Sequence, residues 1–235
     1  MCRPNRLHIF AVMMTLVALA CTITGCRSLE LERAGSLLET GDYLRAQEVY
    51  EHVLKRRPDD FAGHYGMAMA HCAEAIERTE LGLASPEDWY PAIYHMNVAV
   101  KIDRRPRALA TLAILHYNLG ASYRRSGQAE KAIARLERAV RCDSTLLKAT
   151  NLLGALYHER GDLDKAARCY RRALAAHPDY PLAHFNLGAL AWARGDINTA
   201  RERLRHAASL APGNKHFRKW LDKALESNSA GEGGR

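Results

Sequence analysis

Small and apolar residues recur along the second half of the chain at a constant step of 34 residues. The tripeptide Asn118-Leu119-Gly120 returns as Leu152-Leu153-Gly154 and again as Asn186-Leu187-Gly188. Further positions keep this step and hold Gly127, Gly161 and Gly195, then Ala132, Ala166 and Ala200, then Ala139, Ala173 and Ala207. Repetition at a fixed step of this length predicts stacked copies of one small structural unit.

The stretch 147–180 shows the repeated unit most completely. Gly161 lies near its middle, where a glycine in the left-handed conformation ends a helix. Asp162 follows at the position that caps the next helix. Gly154 and Ala166 are small enough to let two helices approach closely. The unit therefore predicts a pair of antiparallel helices joined by a tight turn.

This unit resembles the tetratricopeptide repeat, which has a period of 34 residues. The matching residues are Leu153, Gly154, Tyr157, Gly161, Ala166, Tyr170, Ala173 and Pro178, and Thr150 replaces the usual tryptophan. The resemblance implies an all-α fold, a solenoid of antiparallel helix pairs with about five units and a C-terminal capping helix.

The 34-residue step also predicts the boundaries of the units, which are 27–60, 61–106, 113–146, 147–180 and 181–214. The second unit is degenerate and contains an insertion of about 12 residues between His71 and Ala92. Ser85 and Pro86 in this insertion are typical of a helix start. Six residues, 107–112, are expected to lengthen the next first helix. Residues 215–226 are expected to form a polar capping helix and 227–235 a flexible tail.

The first 26 residues have the pattern of an export signal. Arg3 and Arg6 precede a largely apolar stretch, and no charged residue follows until Arg27. The segment ends in Ile23-Thr24-Gly25-Cys26, which resembles the lipobox of bacterial lipoproteins. The resemblance implies that residues 1–25 are removed and that Cys26 carries the lipid as the first residue of the mature chain.

Two alternatives remain open for this segment: an ordinary cleaved signal peptide and an uncleaved membrane helix. The apolar core is shorter than the roughly 20 residues that a membrane span requires. Arg27 stands where enterobacterial lipoproteins of the inner membrane have aspartate. The resemblance therefore favours the outer membrane, with the chain facing the periplasm of the bacterial cell envelope.

Charge is distributed unevenly along the chain. Residues 27–90 carry 7 basic and 13 acidic side chains, whereas residues 91–235 carry 25 basic and 13 acidic ones. The basic part could attract an acidic partner, although a solvated helix surface is the favoured explanation of such a balance. Nucleic acid is not expected as a partner, because an exported protein would not meet it.

The sequence contains no recognisable catalytic, cofactor-binding or metal-binding motif. We expect Cys72, Cys142 and Cys169 to be small buried residues, the commonest state of a free cysteine. His64, His116 and His184 occupy the fourth repeat position, where packing is the favoured interpretation. No cofactor, catalytic activity or small-molecule substrate is therefore expected.

The resemblance to tetratricopeptide repeats implies a binding groove lined by the first helices. Its second, fifth, sixth, ninth, twelfth and thirteenth repeat positions hold Tyr65, Met69, Tyr117, Asn118, Arg124, Arg125, Lys148, Asn151, His158, Phe185, Asn186 and Trp192. Aromatic rings beside cationic side chains suit an extended peptide with acidic residues.

The function that these features favour is a lipid-anchored envelope scaffold that binds protein or peptide partners. It resembles lipoproteins of pilus, secretion or cell-wall machinery in combining a lipid anchor with repeats. The alternative is an envelope enzyme or metal-binding accessory protein with a site in the insertion, residues 72–91. Convergence of histidine and acidic side chains near residues 71–95 would favour this alternative.

Overall fold

A computed structural model describes residues 29–226, and every regular element among them is helical. The predicted signal segment, Cys26 and the predicted tail lie outside the described residues. The described α-helices are α1 (Leu29–Thr40), α2 (Tyr43–Arg56), α3 (Phe61–Glu80), α4 (Tyr90–Ile102), α5 (Pro106–Arg125), α6 (Ala129–Cys142), α7 (Leu147–Glu159), α8 (Leu163–Ala176), α9 (Pro181–Ala193), α10 (Ile197–Leu210) and α11 (Lys215–Glu226). The all-α prediction is confirmed.

The chain divides into two compact units between Gln128 and Ala129. The N-terminal unit contains α1 to α5, and each of these helices packs against the next, while α1 also contacts α3. The C-terminal unit contains α6 to α11 in the same arrangement, and α7 also contacts α9. This packing is that of a tetratricopeptide-type solenoid, in which first and second helices alternate. The division falls inside the predicted repeat 113–146.

The turns between paired helices depend on glycine. Gly161 has φ +87°, a left-handed conformation that L residues rarely adopt, and it ends α7. Asp42 and Asp196 then cap the helices that follow the equivalent turns by accepting from the backbone N–H groups of Arg45 and Thr199. Asp162 occupies the cap position of α8 without making this bond, contrary to expectation. Its carboxylate pairs instead with neighbouring basic side chains.

The insertion in the second repeat lengthens α3 to 20 residues and adds a short loop. A 3₁₀ turn, Pro86–Trp89, follows the loop and leads directly into α4. The predicted helix start is confirmed, because the Ser85 N–H donates to Asp88 Oδ2 at 2.6 Å. Arg78 near the end of α3 forms an ion pair with Asp88 at 3.1 Å, and this pair connects the 3₁₀ turn of the insertion to α3.

Within residues 29–226, no helix combines the length and the apolar character that crossing a membrane requires.

Candidate protein-binding surfaces

The first helices of the C-terminal unit present a polar surface. Lys148, Asn151 and His158 lie on one side of α7, because their spacings of three and seven residues are close to one and two helical turns. Lys148 is exposed and the other two are half-buried. Asn186 on α9 donates from Nδ2 to Asn151 Oδ1 at 2.8 Å. The structure thus brings four of the predicted groove residues onto adjacent first helices.

The capping helix covers Phe185, which was predicted to line the groove. Phe185 is buried, and its ring stacks on Phe217 of α11 with the ring centroids 4.8 Å apart. Trp220 meets the same ring edge-on at 5.9 Å. Trp192 remains half-buried, with Lys223 5.5 Å from its ring. The assignment of Phe185 to an open groove is therefore corrected: this side chain anchors α11.

Two predicted groove residues of the N-terminal unit are also buried. Tyr65 and Met69 on α3 are each 3% exposed. Tyr65 stacks on Phe61, and its hydroxyl group lies 3.3 Å from Thr111 Oγ1. Thr111 belongs to the segment 107–112 that lengthens α5, so the added turns of α5 cover this part of α3. Neither side chain is available to a partner as the structure stands.

The remaining predicted residues of the N-terminal unit lie on α5. Tyr117 and Asn118 are half-buried, whereas Arg124 and Arg125 are exposed in the last turn of the helix. The two arginines thus supply positive charge at the end of a first helix.

Two of the three histidines at the fourth repeat position join consecutive repeats. His64 Nε2 donates to the carbonyl oxygen of Pro58 at 2.8 Å, and His184 Nε2 donates to that of Pro178 at the same distance. A carbonyl oxygen can only accept, so the proton of each neutral ring is on Nε2. His64 and His184 are both buried, as is His116. The prediction that these positions serve packing is confirmed.

Three histidines converge in a groove that lies between α2 and α4, over α3, and that the sequence did not reveal. In the tautomer with the proton on Nε2, His64 Nδ1 accepts from Nδ1 of His95 at 2.9 Å. The His71 ring stacks on His95, and its Nδ1 lies 3.9 Å from Glu74 Oε2. Gln47 donates to the same carboxylate at 3.0 Å. His64 and His71 share a helix face in the sequence, but no local pattern indicated His95.

This convergence is part of what the metal-binding alternative requires. Across residues 29–226, however, no three His, Cys, Asp or Glu side chains are arranged to hold a metal ion. His64 also uses both ring nitrogens in the hydrogen bonds described above. The cluster as it stands is a hydrogen-bonded floor of the groove.

Burial lowers the basicity of the imidazoles. The pKa of His95 is lowered to about 4 by burial and by the neighbouring His64 and His71. Burial also lowers the pKa of His71, against the opposing effect of Glu74. Both rings are therefore mainly neutral at pH 7.

Two of the three described cysteines lack the low pKa of a nucleophile. Burial raises the pKa of Cys72 to about 12 and that of Cys169 to about 11, so both thiols are protonated at neutral pH. Cys72 is buried as expected, whereas Cys142 and Cys169 are only half-buried, contrary to expectation.

Two family models, described as "TPR repeat" and "Tetratricopeptide repeat", match the sequence. The first matches residues 154–195, and the second matches residues 31–74 and 117–168. Together they cover just over half of the chain. The chain therefore contains tetratricopeptide repeats. The unmatched stretch 75–116 contains the insertion and α4, where the repeat pattern is degenerate.

Solved structures support the same fold. A MamA protein is 22% identical with a TM-score of 0.52, and the match covers 77% of this chain and 90% of that one. YrrB, described as a TPR protein with an unusual peptide-binding site, is 18% identical with a TM-score of 0.53, covering 91% and 97%. At these identities the likeness shows the fold alone. A comparison with curated protein sequences finds no match.

Tetratricopeptide repeats generally serve as scaffolds for protein–protein interaction or peptide binding. Solenoids of this kind use extended surfaces formed by successive repeats for binding. Exposed and half-buried polar side chains lie on the successive first helices α7 and α9.

Proposed function

We propose that this chain is a lipid-anchored scaffold of the bacterial cell envelope that binds a protein or peptide through α7 and α9. The observation that carries the binding site is the hydrogen bond between Asn186 and Asn151. Each amide group offers two donors and an acceptor, of which this bond uses only part. Side-chain amides on adjacent helices can thus pair with the alternating N–H and C=O groups of an extended peptide.

An acidic partner agrees with the charge of this surface. Lys148 is exposed one helical turn before Asn151. In the N-terminal unit, Arg124 and Arg125 likewise end a first helix in solvent. Charge-assisted hydrogen bonds to carboxylates contribute roughly 1.5–3 kcal/mol each, so these side chains would favour peptides with aspartate or glutamate.

Photo-crosslinking in cells tests the binding surface. A photoreactive residue replacing Asn151 in the full chain should capture a partner, and Lys148→Glu should reduce the yield. The control replaces Arg168, an exposed residue of the second helix α8, and should not capture the same protein. Equal capture from both positions, or none from Asn151, would contradict the proposed surface. A captured component of pilus, secretion or cell-wall machinery would support a role in assembly of the envelope.

The acidic character of the partner is tested by charge reversal. The folded variant Arg124→Glu/Arg125→Glu should bind the captured partner roughly tenfold more weakly or worse, with a smaller dependence on salt. The pair Arg138→Glu/Arg141→Glu on α6 reverses two exposed charges of a second helix and serves as control. Unchanged binding by the Arg124/Arg125 variant at low and high salt would show that these arginines do not contact the partner.

The proposal of a lipid anchor rests on the segment Ile23-Thr24-Gly25-Cys26. Cys26→Ser should abolish labelling by a fatty-acid probe and leave an unprocessed precursor. Cys21→Ser, a substitution five residues earlier, should be labelled and cleaved normally. Normal processing and labelling of the Cys26→Ser protein would refute the lipoprotein assignment. Fractionation of the wild-type protein tests whether it resides in the outer membrane.

A further inference from the structure

Exposed apolar side chains are concentrated in the N-terminal unit. Of nine large apolar residues that are exposed among residues 29–226, eight lie there and only Leu225 lies in the C-terminal unit. Leu44 on α2 and Tyr94 on α4 are 67% and 64% exposed, and they line the same groove from different helices. Leu54, Met67 and other apolar residues continue its lining. Exposed apolar side chains that line a groove are typical of a surface that another molecule covers.

The groove has the size of a short helix. It lies between α2 and α4 over α3, and its volume is about 850 Å³. Along α2 its wall extends from Leu44 to Lys55. At a rise of 1.5 Å per residue this is a length of about 17 Å, or three helical turns. His71 and His95 form part of the floor.

The rim of this groove is acidic. Glu48 and Glu51 are exposed on the α2 wall, and only Glu51 has an ion-pair partner within its own helix, Lys55 at 3.0 Å. The surrounding residues 27–90 carry 13 acidic and 7 basic side chains. A partner that places lysine or arginine beside apolar side chains would complement both features of the groove.

The equivalent groove of the C-terminal unit has the opposite charge. It lies between α8 and α10 over α9 and has a volume of about 480 Å³. Three arginines, Arg171, Arg194 and Arg203, line it beside a single acidic residue, Asp196. Arg171 occupies the repeat position that Glu51 occupies in the first repeat. The acidic rim with exposed apolar walls is therefore specific to the groove between α2 and α4, and the repeat pattern does not require it.

We propose that the groove between α2 and α4 binds an amphipathic helix of a partner protein, with apolar side chains at helical spacing beside lysine or arginine. Its walls hold the apolar side chains against Leu44 and Tyr94, while Glu48 and Glu51 pair with the basic ones. A second copy of this chain is a poorer occupant through its basic helix α11. Phe217 and Ala224 of that helix are already buried in the C-terminal unit. The site lies on second helices and adds to the first-helix surface of the proposed function.

Site-specific crosslinking of the full chain in its own bacterium tests this proposal. A photoreactive residue replaces the exposed Tyr94, and the captured segment is identified by mass spectrometry. We expect a helical segment with apolar residues three and four apart and flanking basic residues. Glu48→Lys/Glu51→Lys should reduce capture roughly tenfold, and changing the basic residues of the captured segment to glutamate should restore it. Arg171→Glu in the other groove is the matched control and should leave capture unchanged.

Several outcomes would overturn the proposal. These are capture of an acidic or extended segment, capture of a second copy of this chain, no capture from position 94, and capture that the double charge reversal leaves intact. Circular dichroism of each variant verifies that its helices are retained. The photoreactive residue at position 151 reports on the first-helix surface independently, so failure of one site is distinguishable from failure of the other.

Discussion

Gly154 on α7 lies directly against the ring of Tyr170 on α8. A Cβ atom added at Gly154 would lie 2.6 Å from Tyr170 Cε1, closer than real Cβ contacts allow. Tyr170 is 1% exposed, so its ring has no open space into which it can move. The helix pair of this repeat is thus held together by a contact that only glycine permits.

Gly154→Leu should therefore destabilise the C-terminal unit by roughly 1–3 kcal/mol, the usual cost of overpacking. Thermal unfolding and amide hydrogen exchange measure the effect, and protection should fall most in α7 and α8, because repeats contact mainly their neighbours. Ala176→Leu at an exposed position of α8 is the control. Equal melting temperatures for wild type and Gly154→Leu would show that the two helices separate at little cost.

The positions of the helix pairs were predictable because successive repeats make equivalent contacts, as the last two show. Gly154 contacts the aromatic ring of Tyr170, and Gly188 contacts the side chain of Leu204. The two pairs occupy the same positions in their respective repeats. Such contacts constrain residues at fixed spacing, and that spacing is visible in the sequence as the 34-residue step.

The candidate site was less predictable, because burial depends on neighbours that break the repeat. Phe185 is covered by the rings of Phe217 and Trp220, and both belong to the capping helix. Tyr65 is covered where α5 is lengthened. The repeat position of a residue indicates the direction of its side chain, but it does not indicate which neighbouring side chains cover it. The pairing of His64 with His95 spans the insertion, so no local spacing encodes it.

Two aspartates at equivalent cap positions should contribute unequally to stability. Asp196 accepts from the Thr199 N–H at 3.1 Å and caps α10. Asp162 makes no cap bond and pairs with Arg160 and Lys165 in solvent. Exposed ion pairs stabilise little, whereas caps satisfy otherwise unpaired backbone groups. Asp196→Ala should lower the melting temperature more than Asp162→Ala, and the reverse order would contradict the assigned roles.

Phe217 should contribute strongly to the stability of the C-terminal unit. It is 5% exposed and packs with Phe185, Leu204 and Ala207. Phe217→Ala removes this ring and should cost about 3 kcal/mol, as for other buried phenylalanines. Unfolding in denaturant measures the loss, and Phe185 should become accessible to solvent as α11 detaches. The substitution Lys219→Ala changes an exposed residue of the same helix and should have little effect. A comparable loss in both variants would argue against Phe217 as the anchor.

The stability of the N-terminal unit should decrease as pH falls below neutrality, because His95 resists protonation in the fold. Its pKa is about 4 in the folded chain, against an ordinary value of 6.5. Between these two values the unfolded chain binds more protons than the folded chain, so stability rises with pH across this window and is lost as pH falls through it. The lowered pKa of His71 adds to the effect in the same direction. The other titratable groups in or beside the groove are Glu48, Glu51, Lys55, His64, Glu74 and Tyr94.

Melting temperatures measured between pH 7 and pH 4.5 test this linkage. His95→Asn retains a nitrogen donor near the place of Nδ1 but cannot titrate, so the melting temperature of this variant should fall less steeply than that of the wild type. His52→Asn, an exposed residue of α2, is the control and should reproduce the wild-type slope. Because exposed carboxylates titrate alike in all three proteins, the difference between the slopes isolates the histidine. If His95→Asn and the wild type lose stability in parallel, the imidazole of His95 is protonated in the fold as readily as in the unfolded chain.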